Sequence, residues 1–350
     1  MLEPLRKQIQ RAMQNGEVPG LAIAILEQGE IAEIAGFGVM RHGEASPVTT
    51  DTIFPIASIT KPVSTYAVLK LVEQGILDLD QPLDSYLPEP YLPSEPNAAS
   101  ISARHVLSHQ SGLPNWRPKK RRLRMNWEPG VHFNYSGEGY EYLQRVAERI
   151  TGKRMVHYVQ EHVFGPLGMQ NSSLNGRRAD AEQMAWGYGD GKHWVPRKKK
   201  LPSFAHTMYS SVRDLAYFMK AILSTKVDNN DSDFLSQASL EQIFTPQIRV
   251  GEWPKLFWGL GWGIQRTEKS ELMWHWGAKA GYRHYIAASR KYQCGIVILT
   301  NFEEGLYAIK EILSLLDNPI LSVSHPAFDW LLPTDAWRED GRIIAQTVAP

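Results

Sequence analysis

The spacing of apolar residues changes from four to two within the first forty positions. Leu5, Ile9 and Met13 lie four residues apart, which predicts an amphipathic helix over the first fifteen residues. The stretch VPGLAIAILEQGEIAEIAGFGV then holds two apolar runs on either side of Gln28-Gly29. This pattern predicts a β-hairpin that follows the first helix.

The middle of the chain has the texture of helices and loops. The stretch VSTYAVLKLVEQG predicts a helix that ends at Gly75, and Pro62 suits its first turn, where a missing N–H costs little. Ser58 should therefore lie at or just before the N-terminus of this helix. Helical periodicity recurs in ISARHVLSHQSG, GYEYLQRVAERITG, RMVHYVQEHVFGPLG and VRDLAYFMKAIL.

Strand patterns return after residue 256, in FWGLGWGIQR, ELMWHWG, HYIAASR and CGIVILT, followed by the helical GLYAIKEILSLL. Strands at both chain ends, with helices between, predict an α+β fold: one antiparallel sheet flanked by helices, with an inserted, mostly helical lobe. We predict a single domain over 1–317. Residues 1–62 and 256–317 would form its α/β lobe, and 63–255 its helical lobe. Residues 318–350 are a C-terminal extension without an assigned role.

Composition and charge narrow the functional classes. The 350 residues are 43% hydrophobic and 21% charged, which is typical of a globular protein with a sizeable core. A net charge of +1 predicts no nucleic-acid partner. The single cysteine, Cys294, excludes an internal disulfide and a Cys-based zinc cluster. With no signal-peptide pattern and no apolar run long enough to span a bilayer, we expect a cytoplasmic protein without a membrane partner.

Ser58 and Lys61 form a Ser-x-x-Lys motif in the stretch SITK. A serine hydroxyl is a poor nucleophile until a base removes its proton, and residues three apart share a helix face. A helix N-terminus also offers N–H groups and positive dipole to an oxyanion. On the motif alone, however, an N-cap serine followed by a surface lysine is the simpler interpretation.

Two further stretches change this interpretation. FNYSGEGY places Tyr135 before a long helix, and HWGAKAGY follows the strand pattern ELMW. With SITK, they resemble the three-part signature of class C serine β-lactamases, penicillin-binding DD-peptidases and related esterases and D-amino-acid peptidases. Those parts are Ser-x-x-Lys, Tyr-x-Asn, and Lys-Thr-Gly or His-x-Gly. Additional matches in HVLSHQSGLP, VFGPLGM, YSSVRDLAYFM and GLGWG extend the resemblance over about residues 5 to 315.

This resemblance implies a catalytic role for four residues. Ser58 would be the nucleophile that forms a covalent acyl-enzyme. Lys61 would either take its proton or hold Tyr135 in a reactive state, and Tyr135 would be the general base that later protonates the leaving group. His275 would begin the third motif on an edge strand that faces the site.

The resemblance also implies which residues bind the substrate. The backbone N–H groups of Ser58 and Ala278 would form the oxyanion hole. Gly277 would let the substrate backbone approach the strand closely. Trp276 and Gly137 would complete the substrate-binding set, with no metal and no cofactor.

The chain departs from the family pattern at two positions. Gly137 stands where β-lactamases and DD-peptidases usually carry the asparagine that contacts the side-chain amide of the substrate. His275 replaces a lysine, and a neutral imidazole stabilises a phenolate less than an ammonium does. We therefore expect activity that rises toward alkaline pH, on small-molecule ester or amide substrates, as in an esterase or a D-amino-acid peptidase. A class C-like β-lactamase or DD-carboxypeptidase is the alternative, and a non-catalytic scaffold or binding protein is the alternative from another class.

Other residues with possible chemistry have simpler explanations. His105 and His109 are four apart, but no acidic or third histidine ligand accompanies them, so we expect no metal site, and we expect His109 to be a structural hydrogen-bonder in the SHQSG turn. Six of the eight residues 117–124 are basic, and RKKK follows at 197–200. We favour solvated loops for both, although they could rim the cleft and attract anionic substrates. Tryptophans in loops near the motifs could line an apolar pocket: Trp116, Trp127, Trp186 and Trp194.

Overall fold

A computed structural model describes residues 2–118, 120–175, 182–189, 201–225, 233–268, 271–322 and 326–332. The described strands are, in chain order, β1 (Gly20–Glu27), β2 (Glu30–Gly38), β3 (Phe54–Pro55), β4 (Tyr209–Ser210), β5 (Ile248–Arg249), β6 (Leu256–Trp258), β7 (Gly263–Arg266), β8 (Glu271–Lys279), β9 (Tyr282–Ser289) and β10 (Cys294–Thr300). Eight of them form one antiparallel sheet in the order β2-β1-β10-β9-β8-β7-β6-β5. The short strands β3 and β4, which the sequence pattern did not predict, pair separately.

Helices cover this sheet on both faces. The described α-helices of the chain are α1 (Leu2–Asn15), α2 (Thr60–Glu73), α3 (Ala103–Leu107), α4 (Gly137–Thr151), α5 (Met155–Val159), α6 (Val212–Leu223), α7 (Gln237–Phe244), α8 (Gly305–Leu315) and α9 (Pro326–Leu331). Apolar residues of α1, α8 and α9 share one core with the sheet, and those of α2, α4 and α6 share the other. The α+β class and the helical middle of the chain are as predicted.

Strand β1 shows how the sequence divides between the two cores. Leu21, Ile23 and Ile25 belong to the core with α1 and α8, whereas Ala22 and Ala24 belong to the core with α2 and α6. Successive side chains of a strand point to opposite faces, so a strand buried on both sides is apolar throughout. The unbroken run LAIAIL is therefore a strand covered on both faces.

The two ends of the chain meet in this sheet. Strand β1 pairs with β10, with Leu21 opposite Thr300 and Leu26 opposite Gly295. Strands β1 and β2 form the predicted hairpin, whose turn residues Gln28 and Gly29 have φ angles of 52° and 76°. Positive φ at both central residues is typical of the type I′ turn that joins tight hairpins. The prediction of one sheet built from both termini is confirmed.

Residues after 317 contribute to the core on one face of the sheet. Leu321 is buried, and α9 places Phe328 against Tyr285 and Trp330 against Trp274 and Trp276. Residues 318–322 and 326–332 thus complete the core on the α1/α8 face of the sheet. No helix in the described part of the chain combines the length and apolar character needed to cross a bilayer.

Candidate active site

Ser58 lies in a tight turn that leads directly into α2. A 3₁₀ turn spans Ala57–Ile59, and α2 begins at Thr60. Ala57 has a φ of 49°, a left-handed conformation that costs energy for a residue with a side chain. Ser58 is partly exposed, whereas Ala57, Ile59 and Thr60 are buried. The turn therefore presents the hydroxyl at the predicted place, just before the helix.

Lys61 is buried beneath this hydroxyl, with none of its surface exposed. Its Nζ donates a hydrogen bond to the carbonyl oxygen of Ala205 at 2.8 Å and lies 3.4 Å from Ser58 Oγ. Burial lowers the pKa of Lys61 to about 7, since desolvation penalises the charged amine, and the charge of Glu141 opposes this only in part. A large fraction of the amine is therefore neutral at physiological pH and can accept a proton.

Tyr135 joins these two residues from the loop before α4. Its ring lies 4.8 Å from Lys61 Nζ. Burial raises the pKa of the phenol well above its ordinary value of 10.0, although an interaction with the Ser58 hydroxyl lowers it. The geometry of this interaction does not meet that of a normal hydrogen bond. Among the described residues, the buried phenol oxygen therefore has no hydrogen-bond partner. The phenol therefore stays protonated at neutral pH.

Two histidines of the HVLSHQSG stretch support the tyrosine loop and α3. His109 Nδ1 accepts a hydrogen bond from the backbone N–H of Ser136 at 3.1 Å, and its ring lies 4.2 Å from that of Tyr135. Its φ of 57° is again left-handed. His105 Nδ1 accepts from the N–H of Ser102, which caps α3. His109 makes a structural hydrogen bond, as predicted, and packs against Tyr135, and His105 makes one as well.

His275 faces the same cluster as a neutral imidazole. Its Nδ1 lies 2.8 Å from the carbonyl oxygen of Trp276, so Nδ1 must carry the proton, and Nε2 is an unprotonated acceptor. Burial, assisted by the charge of Lys61, lowers the pKa of His275 to about 3. The ring centroids of His275 and Tyr135 are 6.4 Å apart. Within the described residues, Nε2 has no hydrogen-bond partner.

The expectation that His275 lies on an edge strand is wrong for β8 as a whole. Strand β8 lies between β9 and β7 inside the sheet. Pairing with β7 stops at Trp274, however, while pairing with β9 continues to Lys279. The segment from His275 to Lys279 therefore has a neighbouring strand on one side only.

Gly277 and Ala278 belong to this one-sided segment. A Cβ on Gly277 would lie 2.3 Å from the carbonyl oxygen of Ile56, so β8 approaches the turn before Ser58 more closely than a side chain would allow. The glycine is thus needed for contact within the protein, a reason that the sequence did not give. Ala278, the predicted second oxyanion donor, is partly buried next to it.

The Trp276 side chain is buried and packs behind Tyr135. It is 1% exposed, with its ring 5.0 Å from that of Tyr135 and 5.2 Å from that of Trp330. Any contact between Trp276 and a substrate would therefore fall to its backbone. The indole itself supports the tyrosine from the side of α9.

Gly137 forms the first position of α4 and is in contact with Trp116. Its N–H donates to the carbonyl oxygen and to Oδ1 of Asn115, both at 3.0 Å. A Cβ at this position would lie 2.8 Å from Trp116 Cζ3. The indole therefore occupies the space in which a larger side chain at position 137 would begin.

Several contacts of this site had no signal in the sequence. The Ala205 carbonyl that binds Lys61 is a backbone group, which no motif marks. Trp258 packs against Tyr135, His109 and His275, but its sequence context indicates only a strand.

In the basic segment 117–124, Arg117 pairs with the buried Glu138 at 2.6 Å. Lys119, Trp194 and the segment 197–200 lie outside the described residues.

Comparison with known proteins places this arrangement in a family. The model of the Beta-lactamase family matches residues 5–314. Penicillin-binding protein 4* of Bacillus subtilis is 26% identical over 331 residues, which cover 83% of this chain and 70% of the relative. Protein flp of Staphylococcus aureus is 26% identical over 317 residues, covering 84% of this chain and 61% of the relative. The chain thus spans well under the full length of both.

Solved structures share the fold. The octameric penicillin-binding protein homologue from Pyrococcus abyssi superposes with a TM-score of 0.77 at 25% identity, covering 96% of this chain and 81% of that one. A class C β-lactamase superposes with a TM-score of 0.76 at 22% identity, covering 91% and 96% of the two chains. The family match extends over most of the sequence and includes every residue of the Ser58 cluster described above. The chain belongs to the β-lactamase family.

Proposed function

We propose that this protein is a serine hydrolase that cleaves ester or amide substrates through an acyl-enzyme on Ser58. The observation that carries the proposal is the convergence of three groups. The hydroxyl of Ser58, the amine of Lys61 and the phenol of Tyr135 meet at the junction of α2, α4 and β8. A scaffold would gain nothing from burying a lysine under an accessible hydroxyl, because desolvating that amine costs stability.

Lys61 is the general base in the proposed acylation. Its neutral amine accepts the proton of Ser58 as Oγ attacks the carbonyl carbon, and a new C–O bond forms while the carbonyl oxygen becomes an oxyanion. The distance of 3.4 Å between Nζ and Oγ is at the long end of a hydrogen bond and would shorten with substrate bound. Tyr135 is less suited to this step because burial raises the pKa of its phenol.

Tyr135 carries the proton onward in this mechanism. The phenol donates to the leaving oxygen or nitrogen as its bond to carbon breaks, and the proton on Lys61 replaces the one that the phenol gives up. The N–H groups of Ser58 and Ala278 stabilise the oxyanion, helped by the N-terminus of α2. Water then hydrolyses the acyl-enzyme by the reverse sequence and releases Ser58.

An esterase or a D-amino-acid peptidase is our first choice of activity. Gly137, two residues after Tyr135, has no side-chain amide, and the Trp116 indole that it contacts is apolar. The alternative is β-lactam hydrolysis or DD-carboxypeptidase activity, which the names of relatives support: a penicillin-binding protein in Bacillus subtilis and a β-lactamase/D-alanine carboxypeptidase in Pseudomonas syringae.

A substrate panel tests this choice. Short p-nitrophenyl esters, nitrocefin and D-alanyl amides are compared at one pH, for the wild type and for Ser58→Ala. We expect ester turnover above that of nitrocefin, and loss of at least a thousandfold in kcat/KM for the variant. Nitrocefin turnover well above the esters would reverse the order of substrates. Turnover that survives in Ser58→Ala would refute the mechanism.

A further inference from the structure

Trp116 and His206 form a pair of partly exposed rings beside the Ser58 cluster. Their ring centroids are 4.8 Å apart, at an interplanar angle of 75°. By contrast, Trp258, Trp262, Trp274 and Trp276 are fully buried and can offer no face to a ligand. An edge-to-face aromatic pair with exposed surface is a suitable wall for a flat apolar group.

His206 connects this pair to the base of the proposed mechanism. The residue follows Ala205, whose carbonyl oxygen accepts the 2.8 Å hydrogen bond from Lys61 Nζ. Its Nδ1 lies 3.2 Å from the Ser203 oxygen, and the Ser203 hydroxyl donates its hydrogen to Glu141 on α4, so Nδ1–H is the donor to Ser203. The contact with Ser203 thus orients the imidazole, and the neighbouring Ala205 carbonyl connects the same segment to the amine of Lys61.

Trp116 connects the pair to the tyrosine loop. Its indole touches Gly137, two residues after Tyr135, and takes the space that a side chain there would fill. The segment is fixed on both sides of the indole. Asn115 accepts hydrogen bonds from the N–H groups of Gly137 and Glu138, and Arg117 pairs with the carboxylate of Glu138, which is 5% exposed. A ring held in this way loses little entropy when a ligand packs on it.

From these contacts we infer that Trp116 and His206 determine acyl specificity, and that the preferred substrates carry an aromatic or similarly flat apolar acyl group. The inference rests on the proposed function, since it concerns the substrate of the same site. A phenyl group buried against the pair, in place of a methyl group, gains enough apolar contact for a preference of at least tenfold.

The test compares two esters with the same leaving group, p-nitrophenyl phenylacetate and p-nitrophenyl acetate. The readout is the ratio of their kcat/KM values, because a general loss of activity cancels from it. We expect a wild-type ratio above about ten, a ratio reduced at least fivefold in Trp116→Ala, and most of the ratio retained in Trp116→Phe.

The matched control is Trp127→Ala. Trp127 is 51% exposed, its ring contacts that of His132, and it lines a separate groove with Glu95 and Pro96. Its removal should leave the ratio unchanged. A ratio that is the same in Trp116→Ala as in the wild type, or that falls only in Trp127→Ala, would overturn the inference while Ser58-dependent turnover still supported the proposed function. Absence of Ser58-dependent turnover for both esters would overturn the proposed function, and this inference with it.

Discussion

Burial lowers the pKa of Lys61, and this gives the proposed mechanism a characteristic pH dependence. In the proposed mechanism only the neutral amine can act as the base, and its pKa is lowered to about 7. Activity should therefore be present above pH 7 and be lost as the pH falls through 7. We expect kcat/KM for an ester to reach a plateau by about pH 8.5, with a single midpoint near 7.

The position of that midpoint separates Lys61 from Tyr135 as the base. Both assignments predict a rise toward alkaline pH, but burial raises the pKa of the phenol, so a tyrosinate base would place the midpoint above 10. In Tyr135→Phe, a lysine base predicts a lower plateau with the midpoint unchanged. Activity that still climbs steeply from pH 9 to pH 10 would argue for the phenolate.

The same pKa shift makes a prediction about stability. The pKa of Lys61 is 10.5, its ordinary value, in the unfolded chain and about 7 in the folded protein, so between these values the unfolded state binds more protons. Raising the pH through this window stabilises the folded wild type, and below pH 7 the contribution no longer changes. Lys61→Met has no such group, so the wild type should gain on the order of 4 kcal/mol relative to it between pH 7 and pH 10.

Urea unfolding of both proteins at several pH values measures this difference. The comparison of the two proteins at each pH removes the contributions of all other titrating groups. A difference in the free energy of unfolding that stays constant from pH 7 to pH 10 would show that the folded and unfolded states hold the Lys61 proton equally well.

At the scale of elements, the site depends on how closely β8 approaches the turn before α2. Gly277→Ala would place a methyl carbon 2.3 Å from the Ile56 carbonyl oxygen. Because this oxygen belongs to the backbone, either β8 or the turn before Ser58 would have to shift. We expect a loss of about 1–3 kcal/mol in stability and at least a tenfold loss in kcat/KM, because the turn carries Ser58.

Gly295→Ala is the matched control, since it adds the same methyl group to a strand of the same sheet. Its nearest neighbours would be Ala288 Cβ at 3.3 Å and the Ala287 carbonyl oxygen at 3.4 Å, distances that small shifts relieve. Thermal unfolding and ester kinetics are measured for both variants. Equal effects of the two substitutions would contradict the close approach at Gly277.

The sequence predicted elements better than the contacts between them. Apolar periodicity located the hairpin of β1 and β2, the strands β8 to β10, and the helices α2, α4, α6 and α8, because apart from the more exposed β2 each has a long buried face. It could not show that β7 pairs with β8 only as far as Trp274. Registers of this kind depend on which strand lies beside which, and no local pattern contains that information.

The arrangement around the three motifs was predictable for a different reason. Ser58, Lys61 and Tyr135 were found through the resemblance of their motifs to a family, and the structure brings their side chains together. The contact of Trp116 with Gly137 was not predictable, because a glycine in the sequence does not indicate which residue occupies the space next to it. The pKa of Lys61 likewise follows from its burial, which the sequence did not give.

At the scale of the whole molecule, the sheet joins both ends of the chain, and Asn301 secures this junction. Its Oδ1 accepts from the N–H of Gly20 at 2.7 Å, and its Nδ2 lies 3.3 Å from the carbonyl oxygens of Val39 and Met40. The residue is fully buried, so Asn301→Ala would remove the side-chain partner of the Gly20 N–H and of the Val39 carbonyl oxygen, while the Met40 carbonyl oxygen would keep its hydrogen bond from the N–H of Trp186. We expect a loss of about 2–4 kcal/mol in the free energy of unfolding, measured in urea.

Asn97→Ala provides the comparison for this prediction. Asn97 also donates a side-chain hydrogen bond, to Glu128 at 3.3 Å, but at an exposed position where water can replace it. Its removal should change stability by less than about 0.5 kcal/mol. Should Asn301→Ala be equally mild, the junction of the chain ends would not depend on this side chain.

The most direct test of the central claim is covalent labelling with a fluorophosphonate, followed by peptide mapping. The account predicts one adduct per chain, on the peptide that contains Ser58, formed faster as the pH rises through 7. It also predicts no adduct in Ser58→Ala and strongly slowed labelling in Lys61→Met. An adduct on another residue, or labelling at the wild-type rate without Lys61, would contradict it.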